Sequence, residues 1–395
     1  KIINRKGTNC LKYDFAVERG KPAEVLPLWV ADMDFQVSEE ITKSLHAAVE
    51  HGIYGYTQPK DPYYNAIMNW MKKNHQWETK REWIVKTPGV VFALSAAVKA
   101  FTKPGDAVLI QNPVYYPFTN IIRDNDRRVI DNTLVYEKRV TEGKSQYSID
   151  YEDFERKIVQ ENIKLFILCN PHNPVGRVWT KEELEKMGDI CLKHNVVIMD
   201  DEIHCDFTYP GFKFTSFMTL DEKYHNSLVL YTSPSKTFNV AGLQPANIII
   251  KNPELRAAYR KANAAAGYSQ GSIMGQVAVK SVYTKGDEWV NELVEYITGN
   301  MNYMRDFVKE NFPKAHFVDP EGTYLTWVDF SGYGFTDEEL EHIMVEEAHL
   351  WLDSGKVFGP ATAQFERFNL ACPRATVVKA MEQLKAALDN HTKWA

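Results

Sequence analysis

The sequence predicts an α/β fold with a large domain on a mostly parallel sheet and a smaller α+β domain. Between about residues 83 and 250, short apolar strand patterns alternate with helical patterns, which is typical of an open parallel sheet. After about residue 285 the pattern changes to one long helix followed by short strands mixed with helices. We therefore predict a large domain over residues 46–285, and a small domain made of residues 1–45 and 286–395.

Composition is that of an ordinary globular protein, with 44% hydrophobic and 25% charged residues among 395. The net charge of -6 argues against nucleic acid or an anionic membrane as a partner. No apolar run is long enough to span a bilayer and no signal peptide is visible, so we expect a cytoplasmic protein. The five cysteines form no C-x-x-C pair, which indicates neither a disulfide framework nor a metal site.

The first helices carry start and stop signals. Ser38 is a plausible N-cap with acidic residues after it, and Gly52 ends that helix. Asp61 and a following proline predict the N-cap and first residue of a second helix, which runs to about His75. Residues 1–37 are irregular and rich in aromatics, and we expect them to form an arm that packs across another element or subunit.

The sheet region follows in order. Strands are predicted at 83–86, 107–111, 163–169, 196–199, 227–232 and near 246–250. A Pro-Gly turn precedes a helix over 90–101, and Thr180 with Glu183 forms a capping box that opens another helix. In the small domain we predict a helix over 287–311, strands over 316–318 and 324–329, and two further helices.

A lysine follows one of these strands. Residues 233–243 come directly after strand 227–232 and place Lys236 on a loop between two serines and a glycine. A lysine amine in a partly desolvated pocket loses its proton readily and can react with an aldehyde. Ser233 and Ser235 are placed to bind a phosphate, and so is the N-terminus of helix 90–101. The alternative is that they are solvated loop residues.

Other polar residues also lie where parallel strands should end. Asn173 follows strand 163–169, and Asp201 with His204 follows strand 196–199. Ligands of open α/β sheets bind outside the carboxyl ends of the strands, so these residues and Lys236 predict one site. The alternatives are a turn-capping asparagine, a solvated acid and a packed histidine.

The motifs resemble a known family. Asn170-Pro-x-Asn-Pro-x-Gly176, Asp201-x-x-His204 and Ser233-x-x-Lys236 resemble the pyridoxal-phosphate (PLP) enzymes of fold type I, the aspartate aminotransferase superfamily. The strings Leu28-Trp-Val-Ala-Asp-Met-Asp-Phe35, Tyr54-Gly-Tyr56 and Asn369-Leu-Ala-Cys-Pro-Arg374 are similar to one branch of it, the PatB/MalY-type cystathionine β-lyases. The resemblance covers nearly the whole chain and implies the fold-type-I PLP-dependent transferase fold.

The resemblance implies a PLP cofactor and the residues that hold its ring. Lys236 would bind the pyridoxal aldehyde covalently, and Asp201 would pair with the pyridine nitrogen so that the ring accepts electrons. Asn173 would hydrogen-bond the ring hydroxyl, and Tyr115 would stack on the ring face. His204 belongs to the same site, at a position where aminotransferases often carry a tyrosine.

The resemblance also implies a phosphate site and a dimer. The side chains of Ser233 and Ser235 and the backbone at Val90 and Val91 would hold the cofactor phosphate. Tyr56 would reach the phosphate of the neighbouring subunit. The expected assembly is therefore a homodimer with shared active sites.

The substrate is expected to be a small amino acid with a thioether side chain. By resemblance Arg367 would bind its α-carboxylate with a bidentate fork, and Arg374 is the alternative for that role. Tyr116 and Trp29, with Tyr115, would form aromatic walls around the side chain. No second arginine stands in a motif suited to a distal carboxylate, so we expect aspartate to bind poorly.

The implied function is that of a PLP-dependent carbon–sulfur β-lyase. It would cleave L-cystathionine or related cysteine S-conjugates to a thiol, pyruvate and ammonia. One alternative is a class I/II aminotransferase acting on aromatic or other amino acids. Another, of a different class, is a regulatory protein that binds a partner through the PLP fold. A nucleotide-binding protein is disfavoured because no G-x-G-x-x-G follows the first strand and no G-x-x-x-x-G-K-[ST] occurs.

Overall fold

A computed structural model describes residues 2–138 and 145–392. Residues 1 and 393–395, at the ends of the predicted small domain, and residues 139–144 of the predicted large domain lie outside the described residues.

The strands, in chain order, are β1 (Leu26–Pro27), β2 (Ile84–Pro88), β3 (Ala107–Ile110), β4 (Arg128–Asp131), β5 (Val135–Tyr136), β6 (Tyr147–Ser148), β7 (Leu165–Cys169), β8 (Val197–Asp201), β9 (Leu228–Thr232), β10 (Pro245–Ile249), β11 (His316–Val318), β12 (Leu325–Asp329), β13 (Leu350–Trp351), β14 (Asp353–Ser354) and β15 (Phe365–Asn369).

The α-helices are α1 (Glu39–His51), α2 (Asp61–His75), α3 (Val90–Phe101), α4 (Pro117–Arg123), α5 (Tyr151–Gln160), α6 (Lys181–Lys193), α7 (Pro234–Thr237), α8 (Pro253–Ala265), α9 (Ile273–Lys285), α10 (Asp287–Asn311), α11 (Asp337–His342) and α12 (Arg374–Thr392). Within the described ranges, none of them combines the length and apolarity needed to cross a bilayer.

The central sheet has the strand order β2-β10-β9-β8-β7-β3-β4. Strands β9, β8, β7, β3 and β4 run parallel to one another, while β10 is antiparallel to both of its neighbours. The predicted α/β fold with a mostly parallel sheet is therefore confirmed. The domain boundaries at residues 45 and 285 stay a prediction.

Both faces of this sheet are buried, because successive side chains of a strand point to opposite sides. Along β7, Phe166 and Leu168 belong to one hydrophobic core. Leu165, Ile167 and Cys169 belong to the core on the other face. This explains why the strands read as continuous apolar runs.

A second, antiparallel sheet has the order β11-β12-β15-β14. Its core includes Met304 of α10, Phe330 after β12 and Leu384 of α12. Strand β15 is buried along its whole length, and this strand carries Arg367 towards the central sheet.

The N-terminal arm packs across other elements of its own chain. Strand β1 pairs in parallel with β13, far along the sequence. The side chain of Asn239 bonds the backbone of Met33 and Phe35, and that of Asn369 bonds the backbone of Val30 and Asp32. The arm is thereby held against the segments that follow Lys236 and β15.

Several predicted elements match. Helices 90–101 and 287–311 and strand 316–318 have the predicted bounds, and Ser38 caps α1. Thr180 and Glu183 form the capping box at the start of α6.

Other local predictions need correction. Helix α2 already includes Asp61, so its N-cap is Lys60. Lys236 is not on a loop but in the one-turn helix α7, because the Ser233 side chain accepts from the backbone N–H of Ser235 and starts a turn. Strand β8 extends through Asp201, two residues further than predicted.

Candidate active site

Three neighbouring strands bring the predicted residues together. In the sheet order, β7, β8 and β9 are adjacent and parallel, so their carboxyl ends share one edge. Asn173 follows β7, Asp201 is the last residue of β8, and Lys236 follows β9. The chain thus gathers an amide, a carboxylate and an amine at the edge where ligands of such sheets bind.

These residues line one cavity of about 220 Å³. Of the predicted site residues, its wall contains Val90, Val91, Tyr115, Asn173, Asp201, His204, Ser235 and Lys236. Residues that sequence reasoning did not assign also line it, among them Ala31, Gly89, Phe92, Cys169 and Ile203. Ala31 lies within the motif Leu28–Phe35, but the motif assigned no role to it.

The Lys236 side chain is half-buried at this cavity, and its amine donates to the carbonyl oxygen of Ala31 at 2.7 Å. Burial and, after it, the positive charge of Arg367 lower the pKa of Lys236 to about 8, while Asp32 and Asp201 act in the opposite direction. A substantial fraction of the amine is therefore neutral at weakly alkaline pH. Only the neutral amine is a nucleophile or a base.

The carboxylate of Asp201 is buried on the same cavity. Burial raises its pKa to about 7, against the opposing effects of the Ile203 N–H and the Lys236 charge. The Ile203 N–H donates to its Oδ1 at 3.2 Å. No cation in the described part of the chain forms an ion pair with it. A buried carboxylate without an ion-pair partner is suited to accept a hydrogen bond from a cationic N–H of a ligand.

One end of the cavity is suited to an anion. Helix α3 begins at Val90 without a side-chain cap, and its first residues face the cavity. The preceding Gly89 has a φ of 86°, a conformation that costs glycine little and turns the chain into the helix. The uncapped N–H groups at such a helix start attract negative charge.

The two predicted serines differ in position. Ser235 lines the cavity, and so does Gln244. Ser233 does not line it, because its hydroxyl donates to the carbonyl of Pro245 at 2.5 Å and accepts the Ser235 N–H at 3.1 Å. In the structure Ser233 therefore holds the start of α7.

His204 lines the cavity as a neutral ring. Its pKa is well below the ordinary value, because of burial first and then the charges of Lys236 and Arg367. The ring meets Tyr324 edge-to-face with 5.6 Å between centroids. Its Nδ1 is buried without a hydrogen-bond partner, so it is available to a ligand.

Arg367 lies next to the cavity rather than in its wall. It donates to Asn173 Oδ1 at 3.0 Å and to the Trp29 carbonyl at 2.7 Å, and it forms an ion pair with Asp353. Its Nε has no partner. Burial raises the pKa of Asp353, although Arg367 opposes the shift. Asp353 was missed at the sequence level, because no local motif connects it to Arg367.

Arg374, the alternative carboxylate ligand, is in another place. It is the first residue of α12, its Nε donates to Asn300, and it lines a separate cavity with Phe35 and Trp289. Arg367 is the arginine whose charge acts on Lys236.

The two other predicted substrate contacts are not in the cavity wall. The ring of Tyr116 lies 5.7 Å from that of Tyr115 and 5.9 Å from that of Phe358. Trp29 stacks on Trp351 with centroids 4.4 Å apart. Tyr56 is 98% exposed and contributes nothing to the cavity of its own chain.

The family model of class I and II aminotransferases matches residues 23–384. The chain belongs to the class I and II aminotransferase family. Within this family it is 41% identical to cystathionine beta-lyase PatB of Bacillus subtilis, over 97% of this chain and 98% of the relative. The resemblance drawn from the motifs is thereby confirmed.

Solved structures of family members are similar along the whole chain. Cystalysin from Treponema denticola, which contains a pyridoxal 5'-phosphate cofactor, is 37% identical with a TM-score of 0.94, covering 99% of this chain and 98% of that one. The PLP-bound C-S lyase of Staphylococcus hominis is 32% identical with a TM-score of 0.90, covering 98% and 97%. The fold is therefore that of PLP-dependent family members.

Proposed function

We propose that this chain is a PLP-dependent carbon–sulfur β-lyase that cleaves L-cystathionine or related cysteine S-conjugates. The observation that carries the proposal is the Lys236 amine of lowered pKa in one cavity with the Asp201 carboxylate. Whole-length similarity to a cystathionine β-lyase supports elimination over amino-group transfer. The cofactor of this enzyme is pyridoxal 5'-phosphate, as in its PLP-bound relatives.

The residues present fit this cofactor. The Lys236 amine would hold the aldehyde, and the buried carboxylate of Asp201, without a cation of its own, would hold the pyridine N–H. Asn173 would face the ring hydroxyl and Tyr115 the ring. The uncapped start of α3, at Val90 and Val91, and Ser235 would hold the phosphate. Ser233 would act by holding α7 in position.

The substrate would enter beside Arg367. The Nε of this arginine lacks a partner, and an α-carboxylate would supply one. Asn173 accepts from Arg367 and also lines the cavity, so it would align the carboxylate site with the ring site. Tyr116 and Trp29 would lie along the path of the thioether side chain.

Bound pyridoxal phosphate supplies an electron sink that stabilises negative charge at the substrate Cα. The Lys236 amine would remove the Cα proton of the bound substrate. Elimination would then leave the electrons of the Cα–H bond in a Cα–Cβ double bond, while the Cβ–S bond breaks and its electron pair leaves with sulfur. Water then completes the conversion of the three-carbon fragment to pyruvate and ammonia.

Cystathionine supplied without any keto acid should yield pyruvate continuously. The reason is that elimination regenerates the free enzyme, whereas amino-group transfer stops after one turnover without an acceptor. We would measure pyruvate from cystathionine and oxaloacetate from aspartate, each with and without 2-oxoglutarate. Turnover of aspartate that depends on 2-oxoglutarate, with no pyruvate from cystathionine, would reject the lyase and support the aminotransferase alternative.

We also propose a homodimer with shared active sites. Tyr56 lies in an exposed, largely apolar stretch between α1 and α2 that includes Ile53 and Tyr54 and adjoins the exposed Val49 of α1. Exposed apolar patches of this kind mark association surfaces. Since Tyr56 does not line the Lys236 cavity of its own chain, it would serve the phosphate site of the second chain.

Mixing Lys236→Ala chains with Tyr56→Ala chains should restore lyase activity that neither parent has. In the mixed dimer one site receives Lys236 from one chain and Tyr56 from the other. The matched control mixes Lys236→Ala chains with Asp201→Asn chains. Both residues line the same cavity of a chain, so every site in the mixed dimer lacks one of them and no activity should be restored. Mixed dimers without recovery would place Tyr56 outside the shared site.

A cytoplasmic location completes the proposal. All five cysteines are free thiols, and four of them are buried. Free buried thiols are typical of proteins in reducing compartments.

A further inference from the structure

A second cluster of reactive side chains lies beside the helix of Lys236. His75 is the last residue of α2, while Cys205 and Asp206 follow the strand-end residues Asp201 and His204. The side chains of His75 and Asp206 are only 6% and 7% exposed, and Cys205 is 8% exposed. These three residues line a cavity of about 240 Å³ that shares no residue with the cavity of Lys236.

The three polar atoms lie close to one another. His75 Nε2 lies 2.9 Å from Asp206 Oδ1 and 3.5 Å from Cys205 Sγ, and all three ligand atoms are within 4.8 Å of one another. In a neutral ring Nε2 either donates to the carboxylate or accepts from the thiol. It cannot do both, so only one of the two contacts, with the carboxylate or with the thiol, can be a hydrogen bond of a neutral His75 ring.

A metal ion satisfies all three atoms at once. Zinc binds nitrogen at about 2.0 Å and thiolate sulfur at about 2.3 Å, which places a tetrahedral N–S pair roughly 3.5 Å apart. The observed separation of His75 Nε2 and Cys205 Sγ is 3.5 Å. The N–O pair, at 2.9 Å, would have to open by roughly 0.4 Å to reach tetrahedral geometry. We propose that His75, Cys205 and Asp206 bind a zinc ion, with a water from the cavity as the fourth ligand.

Thr237 supports the proposed ligand set. Its hydroxyl donates to Asp206 Oδ2 at 2.6 Å, which orients the carboxylate and leaves Oδ1 turned towards His75. Hydrogen bonds of this kind fix ligands around metal ions. Since Thr237 directly follows Lys236 in α7, the ion would tie α2, the segment after β8 and α7 together. Zinc is expected to strengthen the framework around Lys236 without touching the reacting atoms.

The scattered cysteines gave no hint of this site. His75 and Cys205 are 130 residues apart, whereas spacing motifs detect only ligands close in sequence. The fold brings them together because α2 ends where the segment after β8 begins.

The test uses the holoenzyme after chelator treatment and gel filtration. Titration with zinc against a chromophoric chelator should show one tight site per chain, and the melting temperature should rise by several degrees, because the ion binds only the folded state. Cobalt in place of zinc should give the intense red-region absorption of a tetrahedral thiolate site, away from the PLP band.

Cys205→Ser and His75→Gln each remove one ligand at similar size. Each should lower zinc affinity more than ~100-fold, since losing even an outer partner of a ligand costs ~10–100-fold. The retained visible absorption of PLP shows that each variant is folded, and Cys10→Ser, at a thiol outside the cluster, is the matched control. No zinc binding to the parent protein, or equal binding in both ligand variants and the control, overturns the proposal.

Discussion

Replacing Lys236 with alanine is expected to abolish lyase turnover and the covalent attachment of PLP. The change removes both the amine that holds the aldehyde and the base that takes the Cα proton, and loss of the base alone costs ~10²–10⁴-fold. Pyruvate release from cystathionine should fall by at least ~10³-fold. The visible absorption of the cofactor should change, and borohydride should no longer fix it to the protein.

Lys86→Ala is the matched control for this experiment. Lys86 is a half-buried lysine of β2 whose pKa burial also lowers, but it does not line the cavity. It should keep normal turnover and borohydride labelling at Lys236. Covalent attachment of PLP that survives in the Lys236→Ala protein would show that another lysine carries the cofactor.

Asp201→Asn is expected to retain the fold and the bound cofactor while turnover falls by roughly 10²–10³-fold, the size typical of losing one focused electrostatic contact. The neutral amide cannot hold a proton on the pyridine nitrogen, so the ring accepts electrons less well. Because burial raises the pKa of Asp201 to about 7, removing its charge relieves a buried carboxylate and should not unfold the chain. Turnover with saturating PLP is the measurement.

Asp200→Asn makes the same chemical change one residue earlier. Asp200 is also buried, and burial likewise raises its pKa to about 7, but successive residues of a strand face opposite sides of the sheet. Asp200 is absent from the cavity wall, so its variant should turn over normally. Equal losses in the two variants, or normal turnover in Asp201→Asn, would mean that Asp201 is only a strand-end acid.

The sequence was informative about the sheet because each strand carries its own signal. Runs such as Leu165–Cys169 are buried on both faces and are therefore apolar throughout, and parallel order follows from the helices between them. The polar residues at or after the ends of β7, β8 and β9 could be placed at one edge, because the carboxyl ends of parallel strands share an edge of the sheet. The prediction that they bind the cofactor came from the family resemblance, not from spacing.

What the sequence did not predict depends on contacts between distant residues. The ion pair of Arg367 with Asp353 forms between neighbouring strands of the small sheet, and neither residue has a pattern that names the other. The one-turn helix around Lys236 depends on a single cap, which is shorter than any periodic signal.

The way the N-terminal arm closes over Lys236 has a consequence for synthesis on the ribosome. The Ala31 carbonyl accepts hydrogen bonds from the Lys236 amine, 205 residues later in the chain, and from the Tyr324 hydroxyl, 293 residues later. The Asn369 side chain donates to the Val30 carbonyl across 339 residues. At about 5–20 residues per second, the arm emerges tens of seconds before its last partner exists. During that interval Trp29 lacks Trp351, the ring on which it stacks. The arm therefore reaches its final contacts only after the distant segments that hold it have been made.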